Sequence, residues 1–255
     1  MDVNKRKRII LICLFVIILF FLLVFLYLIN DYVNDDYESI NIEEDIIKDL
    51  VINDLSNTIT NKKIIDKLKE KYNNDDIVGM LKIENAKFSI PVVQSSDNDY
   101  YTNHNLYGNR SIAGAVFLDY RVDIDSSKKL IIFGHGSSNI NAPFNVLEEF
   151  DDRDFYERNK IIELTTSTTK KVYEVFSVYV ETIDFSYMNL DFNSEEDYLN
   201  HLEKLKYRSI YDSDIELSSN DEILILQTCS TDKAYRNYQN KYLLIILRRV
   251  LNEEI

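Results

Sequence analysis

From Ile77 to Val250 the sequence is a series of eight short runs rich in Ile, Val, Leu, Tyr and Phe. They cover 77–83, 87–93, 112–118, 129–134, 160–166, 171–181, 222–228 and 241–250. Asn, Asp, Ser and Gly bound them, as turn residues bound strands. Two helices interrupt the series. One is expected near 144–158. The other spans 194–207, where Ser194 and Asp197 suggest a capping box and Tyr198, Leu202 and Leu205 share a face. Strands in series with few helices between them argue against βαβ units. The expected fold is mainly β, a closed or nearly closed barrel of about eight strands with added helices, over residues 76–255.

The N-terminal end has a different texture. Lys5, Arg6, Lys7 and Arg8 form a basic cluster, and Ile9 to Ile29 then runs 21 residues without a charge. A helix crossing a bilayer core needs about 20 such residues. A cleavable signal peptide has a shorter apolar core, roughly 7–15 residues, ending in small residues, and this chain has no Ala before Ala86. Residues 1–30 therefore read as a basic cytoplasmic tail and an uncleaved transmembrane anchor that spans the membrane at 9–29. Everything after about Asn30 is expected outside the cell membrane. A buried core helix is the alternative. Residues 31–75 read as a helical neck. Ile40, Ile46, Ile47, Leu50, Val51 and Leu55 recur at helical spacing, and so do Ile64, Ile65 and Leu68. A solvated stalk is the alternative there.

Splitting the chain at the membrane changes the charge and cysteine readings. The whole chain has 43 acidic and 29 basic residues, a net of −14. Residues 1–29 hold four basic residues and one acidic, so 25 basic and 42 acidic residues remain outside, a net of −17. Such a surface excludes nucleic acid as a partner and is repelled by anionic phospholipid. Cys13 lies inside the span, which leaves Cys229 as the only outer thiol. It is a buried hydrophobe, an intermolecular linker or a reactive nucleophile. No His, Cys and carboxylate cluster has metal-ligand spacing, and no metal or cofactor is expected.

Of the three histidines, His201 falls in the polar helix 194–207 and reads as a surface residue, and His104 reads as structural within a loop. His135 differs. It follows Leu130-Ile131-Ile132-Phe133 and is flanked by Gly134 and Gly136, so it stands at a strand end with small neighbours. Cys229 has the same setting after Ile223-Leu224-Ile225-Leu226-Gln227-Thr228. A thiolate can attack a carbonyl, and an imidazolium can protonate a departing amine. The oxyanion then needs a donor or a cation, for which Arg236 in the following loop and Lys241 at the start of the last strand are the candidates. The competing reading makes Cys229 a packed core thiol and His135 a turn residue.

Beyond these residue types, the chain resembles the class B sortases, membrane-anchored cysteine transpeptidases of Gram-positive bacteria. The resemblance runs from about Asp76 to Val250. It is carried by Asp76-Ile77-Val78-Gly79, Ile90-Pro91-Val92-Val93-Gln94, Asp97-Asn98-Asp99-Tyr100-Tyr101 with His104-Asn105, and Ala113-Gly114-Ala115-Val116-Phe117-Leu118-Asp119-Tyr120-Arg121. It continues through Phe133-Gly134-His135, Phe144, the strand Tyr173 to Tyr179, and Leu226-Gln227-Thr228-Cys229. The neck and the helix 194–207 resemble class B features. The chain's stop five residues after Val250 is expected to leave no C-terminal span of the kind pilus-building sortases carry.

The resemblance implies that Cys229 is the nucleophile and His135 the catalytic histidine. Ile225 stands where the family's TLxTC pattern has Thr, and Gly136 where Asn or His commonly follows the histidine. The family's arginine just before the last strand aligns with Lys241, with Arg236 five residues earlier. Arg236 is the favoured third residue and Lys241 the alternative. The implied activity is cleavage after Thr in an NPxTx-like C-terminal sorting motif of secreted proteins. Transfer to an amine of a peptidoglycan cross-bridge or its lipid-linked precursor follows. A hydrolytic, caspase-like cysteine peptidase and a non-catalytic wall-binding module are the other readings. The first is disfavoured because the 94 residues separating His135 from Cys229 read mostly as strands, whereas the caspase pattern has a gap of about 50.

Overall fold

The computed structural model describes residues 7–8, 10–28 and 61–250. The chain divides into two units, residues 1–38 and 39–255. In the first, helix α1 (Ile10–Leu28) is apolar and exposed along its described length, and long enough to cross a bilayer. The helix expected around Ile40 to Leu55 lies outside the described residues.

In the second unit, helix α2 (Asn61–Tyr72) leads into eight strands. These are β1 (Ile77–Ile83), β2 (Phe88–Val93), β3 (Phe117–Leu118), β4 (Lys129–Phe133), β5 (Ile161–Thr166), β6 (Lys170–Glu181), β7 (Ile223–Cys229) and β8 (Tyr242–Arg249). They close into a barrel in the order β1-β2-β3-β4-β7-β8-β6-β5. Closure pairs β1 with β5 and leaves no open sheet edge. Most neighbours are antiparallel. The short β2–β3 contact and the longer β4–β7 ladder are parallel.

The central strands β4 and β7 are apolar on both faces because both are covered, whereas β5 and β6 carry charged, partly exposed residues such as Glu163, Lys170 and Glu174. Along β7, Leu224 and Leu226 join a cluster to which all eight strands contribute, the interior of the barrel. Ile223 and Ile225 point the other way, into a second cluster with Ile65, Leu68 and Tyr72 of α2 and with Tyr198, Leu202 and Leu205 of a later helix. In β4, Leu130 and Ile132 face in, and Ile131 and Phe133 face out. Each fully buried aliphatic side chain contributes roughly 1.5–3 kcal/mol, so the two layers hold the barrel without a disulfide, both cysteines being free.

Three expectations need correction. The run 112–118 contributes only Phe117 and Leu118 as strand. Gly114 turns with φ +62°, and Ala115 N–H donates to Tyr101 O at 2.9 Å, so the run packs on the 100–102 turn instead of a ladder. The helix near 144–158 is two pieces, a 3-10 helix at Asn145–Asp151 and α3 at Arg153–Asn159. Asp152 separates them, because its extended backbone lets its carboxylate cap α3 by accepting from Phe155 N–H at 2.8 Å.

The third correction is His201, which is buried and not a surface residue. It lies on helix α4 (Glu195–Tyr207), three residues after Tyr198 and on the same inward face. Its ring packs on Phe192 at 4.9 Å between centroids, and its Nε2 accepts from Lys129 Nζ at 2.8 Å. Lys129 also donates to Asn189 O at 2.7 Å. Burial pushes Lys129 down to about 7 and His201 down to about 3, each reinforced by nearby positive charge. A cleft of about 540 Å³ opens here between Arg121, Lys129, Phe192 and Tyr198, at the start of β4.

Candidate active site

The parallel β4–β7 ladder brings the histidine and the cysteine together. Phe133 pairs with Gln227, and Gly134 N–H donates to Gln227 O at 3.1 Å. His135 and Cys229 each lie two residues further on. Side chains alternate along a strand, so both fall on the outer face of the barrel at the same rim, on neighbouring strands about 4.8 Å apart. The cleft beside Lys129 is at the opposite end of β4 and has no part in this rim.

Small residues let the chain close up here. A Cβ on Gly136 would stand 2.5 Å from Thr228 Oγ1 and 3.0 Å from Cys229 O, so the chain leaving β4 passes directly over the end of β7. A Cβ on Gly134 would stand 2.7 Å from the Phe144 ring. At Gly114 it would meet Tyr101 O at 2.6 Å and His135 Cδ2 at 3.0 Å. The turn at Gly114 thus presses the 100–102 backbone against the imidazole. His135 Nε2 lies 2.6 Å from Thr102 O. A carbonyl only accepts, so Nε2 carries a hydrogen, and Nδ1 is the nitrogen left to take up and return a proton.

Cys229 is exposed at the rim, not packed in the core. Desolvation by its surroundings still pushes the thiol up, Lys241 pulls it down and Glu148 adds to the rise. The cation whose charge reaches the sulfur is therefore Lys241. Its backbone is fixed there because Ser230 N–H donates to Lys241 O at 2.8 Å. Arg236 ends the short 3-10 turn Lys233–Tyr235, exposed, with its own N–H on Lys233 O at 3.3 Å. Tyr242 pairs with Cys229 across β7–β8 and meets Phe185 edge-on at 5.9 Å. Tyr187 donates from its hydroxyl to Gln227 Oε1 at 2.8 Å. His104 stacks on Tyr100 at 4.1 Å and its Nδ1 contacts Tyr100 O at 2.8 Å.

Sequence reasoning missed several groups at this rim. Thr102 meets the imidazole through its backbone carbonyl, which no residue type signals. Gly114 stood inside a run read as strand. Glu148 was one acid among several in the helix expected near 144–158. Among the described residues no cluster of His, Cys, Asp and Glu could hold a metal ion.

His135 and Cys229 thus lie at or just past the ends of two paired strands of a closed barrel. The Sortase domain family description matches residues 81–246. The chain belongs to the sortase family, and within it to class B. Sortase B of Listeria monocytogenes is 34% identical over 180 residues, covering 70% of this chain and 73% of that protein. The Clostridium perfringens sortase B structure superposes with a TM-score of 0.65 at 29% identity, over 73% of this chain and 99% of that one. A Staphylococcus aureus sortase B–substrate complex gives a TM-score of 0.73 at 27% identity, over 86% of this chain and 99% of that one. The activity is that of a sortase-type cysteine transpeptidase.

Proposed function

We propose that the protein is anchored by residues 9–29 with its catalytic domain, residues 76–255, outside the membrane. There it cleaves an NPxTx-like sorting motif after Thr and transfers the acyl group to a peptidoglycan amine. The observation that carries this reading is the shared rim of β4 and β7, which supports Cys229 as nucleophile and His135 as its proton partner.

The proposed reaction has two halves. Cys229 Sγ attacks the Thr carbonyl while its proton passes to His135 Nδ1. The imidazolium, steadied by the Nε2–H bond to Thr102 O, gives that proton to the departing amine. A thioester remains on Cys229. The amine of a cross-bridge or lipid-linked precursor then attacks, loses a proton to the imidazole, and expels the thiol with the product. The oxyanion formed in each half needs a positive neighbour. Arg236 offers a planar fork if its loop swings in, and Lys241 offers a point charge already near the sulfur. Residues 31–75 serve as a neck between anchor and domain in this scheme. The hydrolytic caspase-like reading loses support, because the strands between His135 and Cys229 belong to a barrel and not to a parallel sheet with intervening helices.

The test is mass spectrometry of candidate pentapeptides from secreted proteins, with and without an added amine. Transfer product only with amine, and complete loss of cleavage in Cys229→Ala, are expected. Cleavage retained in Cys229→Ala would falsify the nucleophile assignment. Run alongside, Lys241→Ala and Arg236→Ala identify the third residue. The cation that matters loses about 10²–10³ in kcat, the scale of removing one oxyanion donor.

A further inference from the structure

We propose that Glu148 is a positioning residue of the transfer reaction. It ties the segment that follows His135 to the loop that follows Cys229, and it presents a negative charge to the thiol. The proposal rests on the reading of Cys229 as nucleophile.

Glu148 sits in the 3-10 helix Asn145–Asp151, whose Leu147 and Phe150 are fully buried. That helix is held to the histidine strand at three points. Phe144 N–H donates to His135 O at 2.9 Å, and Ser137 N–H donates to Asn145 Oδ1 at 2.7 Å. The Phe144 ring fills the space a side chain at Gly134 would take. From this base Glu148 Oε1 accepts from Thr231 N–H at 2.9 Å. The position of that donor matters. Ser230 N–H makes the last bond of the β7–β8 ladder, to Lys241 O. Thr231 is the next residue, where the ladder has ended. Glu148 therefore takes over from the sheet and fixes the root of the loop that carries Arg236.

Its charge acts on the same centre. Lys241 and Glu148 bear on the Cys229 sulfur with opposite sign. Asp151 and Asp232 are the other acids facing Glu148, and together with burial they raise its carboxyl, while hydrogen bonds from Thr231 oppose the rise. Bound to an amide only two residues along the chain from Cys229, an ionised Glu148 thus opposes Lys241 and disfavours the thiolate.

Two variants separate the tie from the charge. Glu148→Gln keeps the shape and an acceptor for Thr231 N–H but removes the charge. Glu148→Ala removes both. The full chain in detergent is alkylated with iodoacetamide across pH, and the Cys229 peptide is quantified by mass spectrometry separately from that of Cys13. Both variants should alkylate about three- to tenfold faster at neutral pH, with the profile moved to lower pH. Only Glu148→Ala should lose about tenfold in kcat for peptide transfer with KM little changed. An unchanged alkylation profile in Glu148→Gln overturns the charge role. Equal kcat in the two variants overturns the tie. Alkylation reads the effect of the carboxylate's charge on the thiol whatever reaction the thiol performs, so failure of the nucleophile assignment, scored by Cys229→Ala, is distinguished from failure of this proposal.

Discussion

At Gly136 the chain leaves β4 with no room for a side chain. An added methyl would meet the Thr228 hydroxyl at 2.5 Å and the Cys229 carbonyl at 3.0 Å. Thr228 is β-branched and buried, and a backbone carbonyl cannot turn aside, so the two strand ends must part. The sequence departs from the family's habit of Asn or His at this position, and the close crossing accounts for the departure. Gly136→Ala should lower kcat/KM for peptide cleavage by about 10-fold or more, since catalysis falls steeply with sub-ångström misplacement. Its melting temperature should fall by only a few degrees, because the change sits at the rim and outside both cores. Steady-state kinetics with thermal denaturation checks this. Full activity in Gly136→Ala would mean that the β4 and β7 ends do not cross as closely as described.

The elements were legible to different degrees, for identifiable reasons. Runs such as Ile223 to Thr228 announced strands because both faces are apolar, and their ends came within a residue or two. The cap of α4 was legible as well: Ser194 Oγ accepts from Asp197 N–H at 3.1 Å, and Asp197 Oδ2 returns a bond from Asn193 N–H at 3.0 Å. Short apolar runs that serve as turns were not legible, since composition cannot separate Ile112 to Val116 from a strand. The setting of His201 was partly legible, because its spacing from Tyr198 matched the buried face while its polarity pointed outward. The place of Cys229 and His135 at the ends of β7 and β4 was legible from the apolar runs before them, whereas the positions of Arg236 and Lys241 around them depend on loop geometry.

The Lys129–His201 contact has a consequence for α4 that stability measurements can read. In the folded chain Lys129 titrates at about 7, against about 10.4 when unfolded. Between those values the unfolded chain binds the extra proton, so stability rises with pH. His201 acts with the same sign at lower pH, being held at about 3 against about 6.5 unfolded. The melting temperature should therefore climb from roughly pH 7 to 9.5, below the range where tyrosines begin to ionise. Lys129→Met should flatten that climb. A slope unchanged by the substitution would show that Lys129 is not buried against α4.

On the scale of the whole molecule, the two cysteines report on the proposed orientation. With residues 9–29 in the bilayer and the catalytic domain outside, a membrane-impermeant maleimide applied to intact cells should label Cys229 and leave Cys13 untouched. Labelling of Cys229 only after lysis would place the barrel on the cytoplasmic side. The same orientation sets a net charge of −17 beside the membrane face, counted over residues 30–255.

One feature of the barrel joins its construction to the timing of its chemistry. The ladder between β4 and β7 is parallel, and parallel neighbours cannot be joined by a tight turn. Everything from Gly134 to Glu222, including β5, β6 and α4, must be synthesised before the second strand arrives. Pairing across so long a loop is slow and comes late in folding. A chain still being synthesised therefore carries the His135 imidazole with no thiol beside it. The two side chains reach the same rim only when β7 pairs with β4, so any chemistry they share waits for the barrel to close.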